Sequence, residues 1–143
     1  MLYRYGQCYL EKELKPYDMG SGQFIFMAAL FHEDGISQEN LANKLNIDKG
    51  TTARAIKKLE SIGYVTREVN PKDKRSNIIR VSKEGQEIRP VLQRISQQWS
   101  DELFAGMDSE EQELIIRLLQ KMSYNAYSLI KNDKEKASGG CCQ

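Results

Sequence analysis

The sequence predicts a mainly α-helical protein with one small β-hairpin, and three observations lead there. Apolar residues recur at the 3.6-residue period of a helix along most of the chain, the period falls to 2 only between Tyr64 and Val81, and turn-forming residues separate the two regimes. At 143 residues the chain is long enough for one unit with a substantial core and short for two independent domains of ordinary size.

Leu2, Tyr3, Leu10, Leu14 and Tyr17 lie at helical intervals and predict a first helix ending near Lys15, where Pro16, Asp18, Gly20 and Gly22 interrupt it. Between Ser21 and His32, the run from Phe24 to Phe31 is apolar nearly all round, the pattern of a helix buried on several sides. After the Glu33-Asp34-Gly35 turn, Ser37 can cap a short helix of about two turns whose face is Leu41, Ala42 and Leu45. Asn46 to Gly50 breaks that helix, and Ala53, Ile56 and Leu59 restart a helical period that stops at Gly63.

From Tyr64 onward, Tyr64, Thr66 and Glu68 fall on one strand face and Val65, Arg67 and Val69 on the other. Asn70-Pro71-Lys72-Asp73 is turn chemistry and Asn77 to Val81 a second β-rich run, so the pair forms an antiparallel hairpin with a long basic tip. Ser82 caps a long helix with Ile88, Val91, Leu92, Ile95, Trp99 and Leu103 facing inward and a bend expected at Pro90. Asp108 or Ser109 starts the last helix, whose stripe is Leu114, Ile115, Leu118, Leu119, Met122, Ala126, Leu129 and Ile130. So wide a stripe needs a partner. Lys131 to Gln143 is charged and then Gly/Ser-rich, and a disordered tail is expected there. The chain thus divides into N-terminal helices (1–32), a central lobe (33–82), C-terminal helices (83–131) and a tail (132–143).

Net charge is close to zero, with 21 Lys plus Arg against 20 Asp plus Glu, but its distribution is uneven. Asp48 to Lys83 holds ten basic residues and four acidic ones, a net +6 that leaves the rest of the chain at −5. No apolar run approaches the length of a membrane span, and tyrosines and charges occupy the N-terminus where a signal peptide has its apolar core, so a cytoplasmic location is expected. An enzyme would need a nucleophile with a base, a metal cluster or a phosphate-cradling glycine loop. The glycines are instead scattered at turns and there is one histidine, so neither catalysis nor a cofactor is expected.

The order helix, helix, short helix, turn, helix, basic hairpin, two long helices is that of a winged helix-turn-helix flanked by N- and C-terminal dimerisation helices. Ser37-Gln38-Glu39-Asn40-Leu41-Ala42 through Leu59-Glu60-Ser61-Ile62-Gly63-Tyr64-Val65 resembles the general winged-helix pattern. Asn70-Pro71-Lys72-Asp73-Lys74-Arg75, followed by Ile79-Arg80-Val81-Ser82-Lys83-Glu84-Gly85, is similar to the wing signature of the MarR family. There, Asp-x-Arg at the hairpin tip precedes a Leu-Thr-x-x-Gly helix entry. Val81-Ser82 stands in place of Leu-Thr, and Val still packs while Ser still caps. Phe24 to Leu30 after Gln23 looks like the family's second helix, so the resemblance spans about residues 2 to 130. It implies a sequence-specific regulator of transcription, a homodimeric repressor on a pseudo-palindromic duplex operator, with Arg75 of the wing entering the minor groove.

The physics of groove recognition asks for residues of this kind. Small and polar side chains at the start of a recognition helix let the backbone approach base edges, and Lys49, Gly50, Thr51, Thr52 and Arg54 fit. Arg54 can donate two hydrogen bonds to a guanine edge, Thr51 or Thr52 can touch a phosphate or thymine methyl, and Lys58 suits the phosphate backbone. Taken alone, this is equally an ordinary solvated helix face. Lys72, Lys74 and Arg75 on a thin ribbon concentrate like charge that phosphates would neutralise, with Asp73 orienting Arg75 or pairing with a basic neighbour. Ser37 and Gln38 open a helix whose free amides and dipole favour a phosphate. An isologous dimer would set two recognition helices about 34 Å apart.

The resemblance implies that many relatives are repressors released by a small apolar or phenolic ligand, and Tyr5, Tyr9, Tyr17, His32 and Trp99 are candidates to line such a cleft. Aromatic residues at helical spacing are more often core or dimer interface, which is the preferred reading. Cys8 is a candidate peroxide-sensing thiol, although Arg4 is the single evident activator and a buried, inert cysteine is preferred. Cys141 and Cys142 form neither a disulfide framework nor a metal motif. His32 with Glu33 and Asp34 falls short of the three or four converging ligands a metal site needs, so no metal is expected. The rival class is a winged-helix protein kept for protein–protein contact, which predicts a charge-poor wing and a bulky apolar recognition face, opposite to what this chain carries.

Overall fold

A computed structural model describes residues 1–138, with side chains through Ile130. Helix α1 (Leu2–Leu14) runs into a 3-10 turn (Lys15–Tyr17) containing Pro16, and Asp18 reverses the chain in the left-handed region at φ +54°. Helix α2 (Ser21–His32) begins at Gly20, which has no side chain with which to cap it. Glu11 of α1 substitutes, accepting the Ser21 amide at 2.9 Å and the Ser21 hydroxyl at 2.6 Å. Those bonds, the hydroxyl's foremost, hold the Glu11 carboxyl below the usual carboxylate range. Strand β1 (Ile36–Ser37), helix α3 (Gln38–Leu45), helix α4 (Lys49–Ser61), strands β2 (Val65–Val69) and β3 (Asn77–Val81), and helices α5 (Lys83–Phe104) and α6 (Ser109–Ser138) complete the order. Residues 1–100 form one compact unit and the chain from Asp101 a second.

The core of the first unit is built from Leu14, Phe26, Met27, Leu30, Leu41, Ile56, Leu59, Ile79 and Ile95, all fully buried or within one per cent of it. Phe26, Met27, Ala29 and Leu30 confirm α2 as the central helix. On α5, Ile88, Leu92 and Ile95 are buried, while Val91, Trp99 and Leu103 are half-buried, and the helix continues through Pro90.

The sheet has three strands rather than the two of the expected hairpin, in the antiparallel order β1-β3-β2. Two residues carry no periodicity, so nothing in the sequence marks β1. β3 creates it by offering a free edge, where Ile36 pairs with Ile79 and the Gly35 amide reaches the Ile79 carbonyl at 3.1 Å. Asp34 extends the ladder, its Oδ1 accepting the Val81 amide at 2.8 Å. Val65 is buried as its alternation requires, but Val69 is 62% exposed because β2 outruns the core on its way to the tip.

The entry to α5 follows the sequence reading. Ser82 Oγ accepts the Gly85 amide at 3.0 Å and donates to the Gly63 carbonyl, so one hydroxyl caps the helix and ties it to the end of α4. Gly85 is buried against backbone, and a Cβ there would stand 2.1 Å from the Tyr64 carbonyl oxygen.

In the second unit, Asp108 caps α6 in reciprocal fashion. Its Oδ1 accepts the Glu111 amide at 2.9 Å and Glu111 Oε2 accepts the Asp108 amide at 3.0 Å. The apolar stripe of α6 is open to solvent in the single chain, from Ile115 at 37% to Met122 at 66%. The disordered tail expected from 132 is corrected over 132–138, which continue the helix. Asn132 to Ala137 has neither Gly nor Pro and is mostly Lys, Glu and Ala, so nothing breaks the helix before Gly139. Residues 139–143, with Cys141 and Cys142, lie outside the described residues.

Replacing Gly85 by Ala forces α5 off the Tyr64 carbonyl, and a loss of about 1–3 kcal/mol is expected. Urea denaturation checks this; an unchanged midpoint would show that the helix entry has slack.

Candidate nucleic-acid interface

Helix α4 owes its orientation to its buried side. Thr52, Ala55, Ile56 and Leu59 follow the i, i+3, i+4, i+7 spacing and are all buried, with α4 packed on α2, α3 and β2. Lys49, Gly50, Arg54, Lys57 and Lys58 are thereby exposed and Thr51 half-exposed. Thr52 is a correction to the expected contact set: it is fully buried at the floor of the cleft between α3, α4 and the wing, beneath the exposed edge of α4. Its Oγ1 and Gln38 Oε1 are buried without a hydrogen-bond partner. Lys57 is an addition, and the i, i+3, i+4 spacing of Arg54, Lys57 and Lys58 was the signal that could have found it.

The leading edge of α4 is organised by short-range bonds. Asp48 is the N-cap, its Oδ1 accepting the Thr51 amide at 2.8 Å. Arg54 Nη2 donates to Thr51 Oγ1 at 2.8 Å. The Thr51 amide, then its hydroxyl, with the Arg54 charge behind them, hold the Asp48 carboxyl below its ordinary value. Lys49 Nζ pairs with Glu39 Oε1 of α3 at 2.6 Å. At the start of α3, the Ser37 hydroxyl is occupied in accepting the Asn40 amide at 3.1 Å, so Ser37 acts as the cap the sequence predicted.

The wing tip is a self-bonded turn. The Asn70 amide reaches the Ser76 carbonyl at 2.9 Å, Asn70 Oδ1 accepts the Lys72 amide at 3.0 Å, and Asp73 Oδ1 accepts the Arg75 amide at 3.0 Å. Asp73 therefore orients Arg75 through its backbone, not by pairing with its guanidinium. Elsewhere the basic segment neutralises itself, Arg67 with Glu60 and Arg80 with Glu68. Among the described residues Lys57, Lys58, Lys72, Lys74 and Arg75 take part in no ion pair. A cleft of about 200 Å³ lined by Gln38, Glu39, Lys49, Arg75 and Asn77 brings α3, α4 and the wing to one surface.

The other candidates are dispersed. The Tyr9 ring stacks on Trp99 at 5.0 Å and its hydroxyl donates to the Ile95 carbonyl at 3.3 Å. Tyr17 is half-buried, its carbonyl accepting the Tyr64 hydroxyl at 3.2 Å, and Tyr5 is exposed. Burial pushes the Tyr64 phenol up. His32 lines a different cleft of about 210 Å³, with Phe24, Phe31, Arg89 and Leu92, and the Arg89 guanidinium lies 5.2 Å from the Phe31 ring centre. The five aromatic candidates therefore do not share one cleft within the chain. Cys8 is exposed rather than buried, a correction that follows from its place on the outer side of α1. Glu33 pairs with Lys44 at 2.7 Å and Asp34 serves Val81, which removes both from His32. No group of three or more metal-ligating side chains occurs among the described residues.

A capped short helix, a turn, an exposed helix and a basic wing on a mostly helical scaffold define a winged helix-turn-helix protein. Residues 21–77 match the model of the MarR family. The chain is 32% identical over 113 residues to the HTH-type transcriptional regulator YybA of Bacillus subtilis (strain 168), covering 79% of this chain and 75% of that one. It is 44% identical to a MarR transcriptional regulator from Methanosarcina mazei Go1, with a TM-score of 0.87 over 90% of this chain and 92% of that one. A MarR mutant from E. coli in complex with operator DNA is 26% identical, with a TM-score of 0.77 over 85% and 88%. This chain belongs to the MarR family; it is a DNA-binding transcription regulator and not an enzyme. No described helix is long and apolar enough to cross a membrane.

Because the folded Asp48 carboxyl titrates below its ordinary value of 3.8, the cap stands above that pH and is lost as pH falls through the lower, folded value. The Thr51 amide resonance should move with a midpoint below 3.8 and stay flat in Asp48→Asn. A midpoint at or above 3.8 would mean that Asp48 does not hold the helix start.

Proposed function

We propose that the protein is a homodimeric repressor that reads a pseudo-palindromic duplex operator in the cytoplasm and is released by a small molecule or an oxidant. The carrying observation is the convergence of the α3 start, the exposed edge of α4 and the wing on one surface, with wing cations that no carboxylate neutralises. Unpaired cations on a thin ribbon repel one another, and a phosphate backbone relieves this while releasing counterions. Arg54 reads a guanine edge, Thr51 lies beside it, and Lys49, Lys57 and Lys58 follow the adjoining strand. Lys72 and Lys74 meet phosphates, Arg75 enters the minor groove, and the free amides at Gln38 and the start of α3 take one phosphate more.

The exposed stripe of α6 and the exposed Leu2, Tyr3 and Tyr5 of α1 support the dimer, since apolar surface on this scale calls for a partner. For release, the cleft under Arg89 and His32 suits a small aromatic acid, and exposed Cys8 is accessible to peroxide. A protein-contact module is disfavoured by the charged wing tip and the small, polar leading edge of α4.

Fluorescence anisotropy against the duplex upstream of its own gene and a shuffled duplex, across a salt series, tests the reading. Preference of about a thousandfold at physiological salt is expected. Arg75→Ala should weaken binding and lower the salt slope by about one. Equal, weak binding to both duplexes, with no sequence recovered from a random pool, overturns sequence-specific recognition. Sedimentation should give a dimer that Leu118→Lys splits; a wild-type monomer would remove the two-fold operator.

A further inference from the structure

At the start of α4, Thr51 is bonded on both sides, by its side chain to Arg54 and by its backbone to Asp48. Arg54 Nη2 donates to Thr51 Oγ1 at 2.8 Å, and the amide of Thr51 donates to Asp48 Oδ1 at 2.8 Å. Gly50 leaves room for this. A Cβ there would stand 3.5 Å from Arg54 Nη1 and 3.3 Å from Asp48 Oδ1, so the guanidinium is folded back over the first turn. The neighbouring cation, Lys49, is drawn away by Glu39, which leaves Arg54 as the cation held at this edge.

We propose that Thr51 is a positioning residue that sets base specificity through Arg54, holding the guanidinium fork in place before DNA arrives. This rests on the reading of Arg54 as the guanine reader. An arginine free in solution samples many rotamers, and fixing a side chain of this kind on binding reduces affinity by about two- to tenfold. The hydroxyl removes part of that loss in advance. Its lone pair accepts from the guanidinium, while its proton is left to the carboxylate of Asp48, whose lowered titration fits a donor on that side. Only one of the five guanidinium N–H donors is used by this bond, so the fork retains enough donors for the two acceptors of guanine.

Thr51→Val tests this cleanly. It preserves shape and the amide that Asp48 caps, and Thr and Val have nearly equal helix propensity. Thr51→Ser restores the hydroxyl. A duplex selected by the wild type from a random pool is first compared with Arg54→Ala, which identifies the base pair whose substitution penalty depends on Arg54. That penalty, about five- to a hundredfold for a bidentate arginine, should shrink about two- to tenfold in Thr51→Val. Thr51→Ser should recover the penalty. In the free protein, ¹⁵N relaxation of the Arg54 side chain should report a loosened guanidinium in Thr51→Val. A full penalty in Thr51→Val, or an Arg54 side chain equally mobile in both proteins, overturns the proposal while leaving DNA recognition intact. Loss of the penalty at a different base pair overturns it too, by making Thr51 a direct contact. Failure of the wild type to select any sequence removes the underlying reading itself.

Discussion

Burial of one side of α4 is the constraint on which the interface depends. Ile56 and Leu59 are completely enclosed, each contributing about 1.5–3 kcal/mol of transfer free energy, and the helix cannot rotate without exposing them. A rise of 1.5 Å and a turn of about 100° per residue then dictate the rest. With Thr52 and Ala55 locked inward, Arg54, Lys57 and Lys58 have no direction left but outward. The exposed basic edge of α4 is thus the complement of a packing decision, and short bonds from Asp48 and Thr51 refine it without determining it.

The wing obeys a different physics. Its tip buries little, so its shape is held by hydrogen bonds from Asn70 and Asp73 to its own backbone, while its root is held by neighbours. Asp34 fastens β3 from the end of α2, β1 adds a third strand, and Ser82 links the α5 entry to Gly63. A rigid root and a self-bonded tip present Lys72, Lys74 and Arg75 together. Exposed ion pairs are worth little in water, so the pairing of Arg67 with Glu60 and Arg80 with Glu68 adds little stability. Its consequence is electrostatic: positive potential is cancelled along the strands and retained at the tip.

The second unit bears the largest set of exposed apolar side chains, from Leu114 to Ile130. In the proposed dimer this surface is what doubles the reading head, since one helix and one wing span too few base pairs for useful discrimination. Cys8 and the Arg89 cleft occupy separate positions in the first unit, so an oxidant and an aromatic acid would act there through different groups.

By itself the sequence determined the order of the long helices and of the β2–β3 hairpin, both caps at Ser37 and Ser82, the central place of α2 and the family. Each of these rests on local periodicity or on side chains reaching only a few residues along the chain. The basic tip was legible for the same reason, but not that Asp73 bonds the Arg75 backbone amide. Tertiary structure decided what depended on distant neighbours. β1 exists because β3 offers an edge, Glu11 caps α2 from another helix, and Thr52 turns inward while Lys57 turns outward because of what α4 packs against. It also exposed Cys8 and parted Tyr9 and Trp99 from His32. Spacing along a chain says which residues can share a face, and only the packing of one element on another says which face is covered.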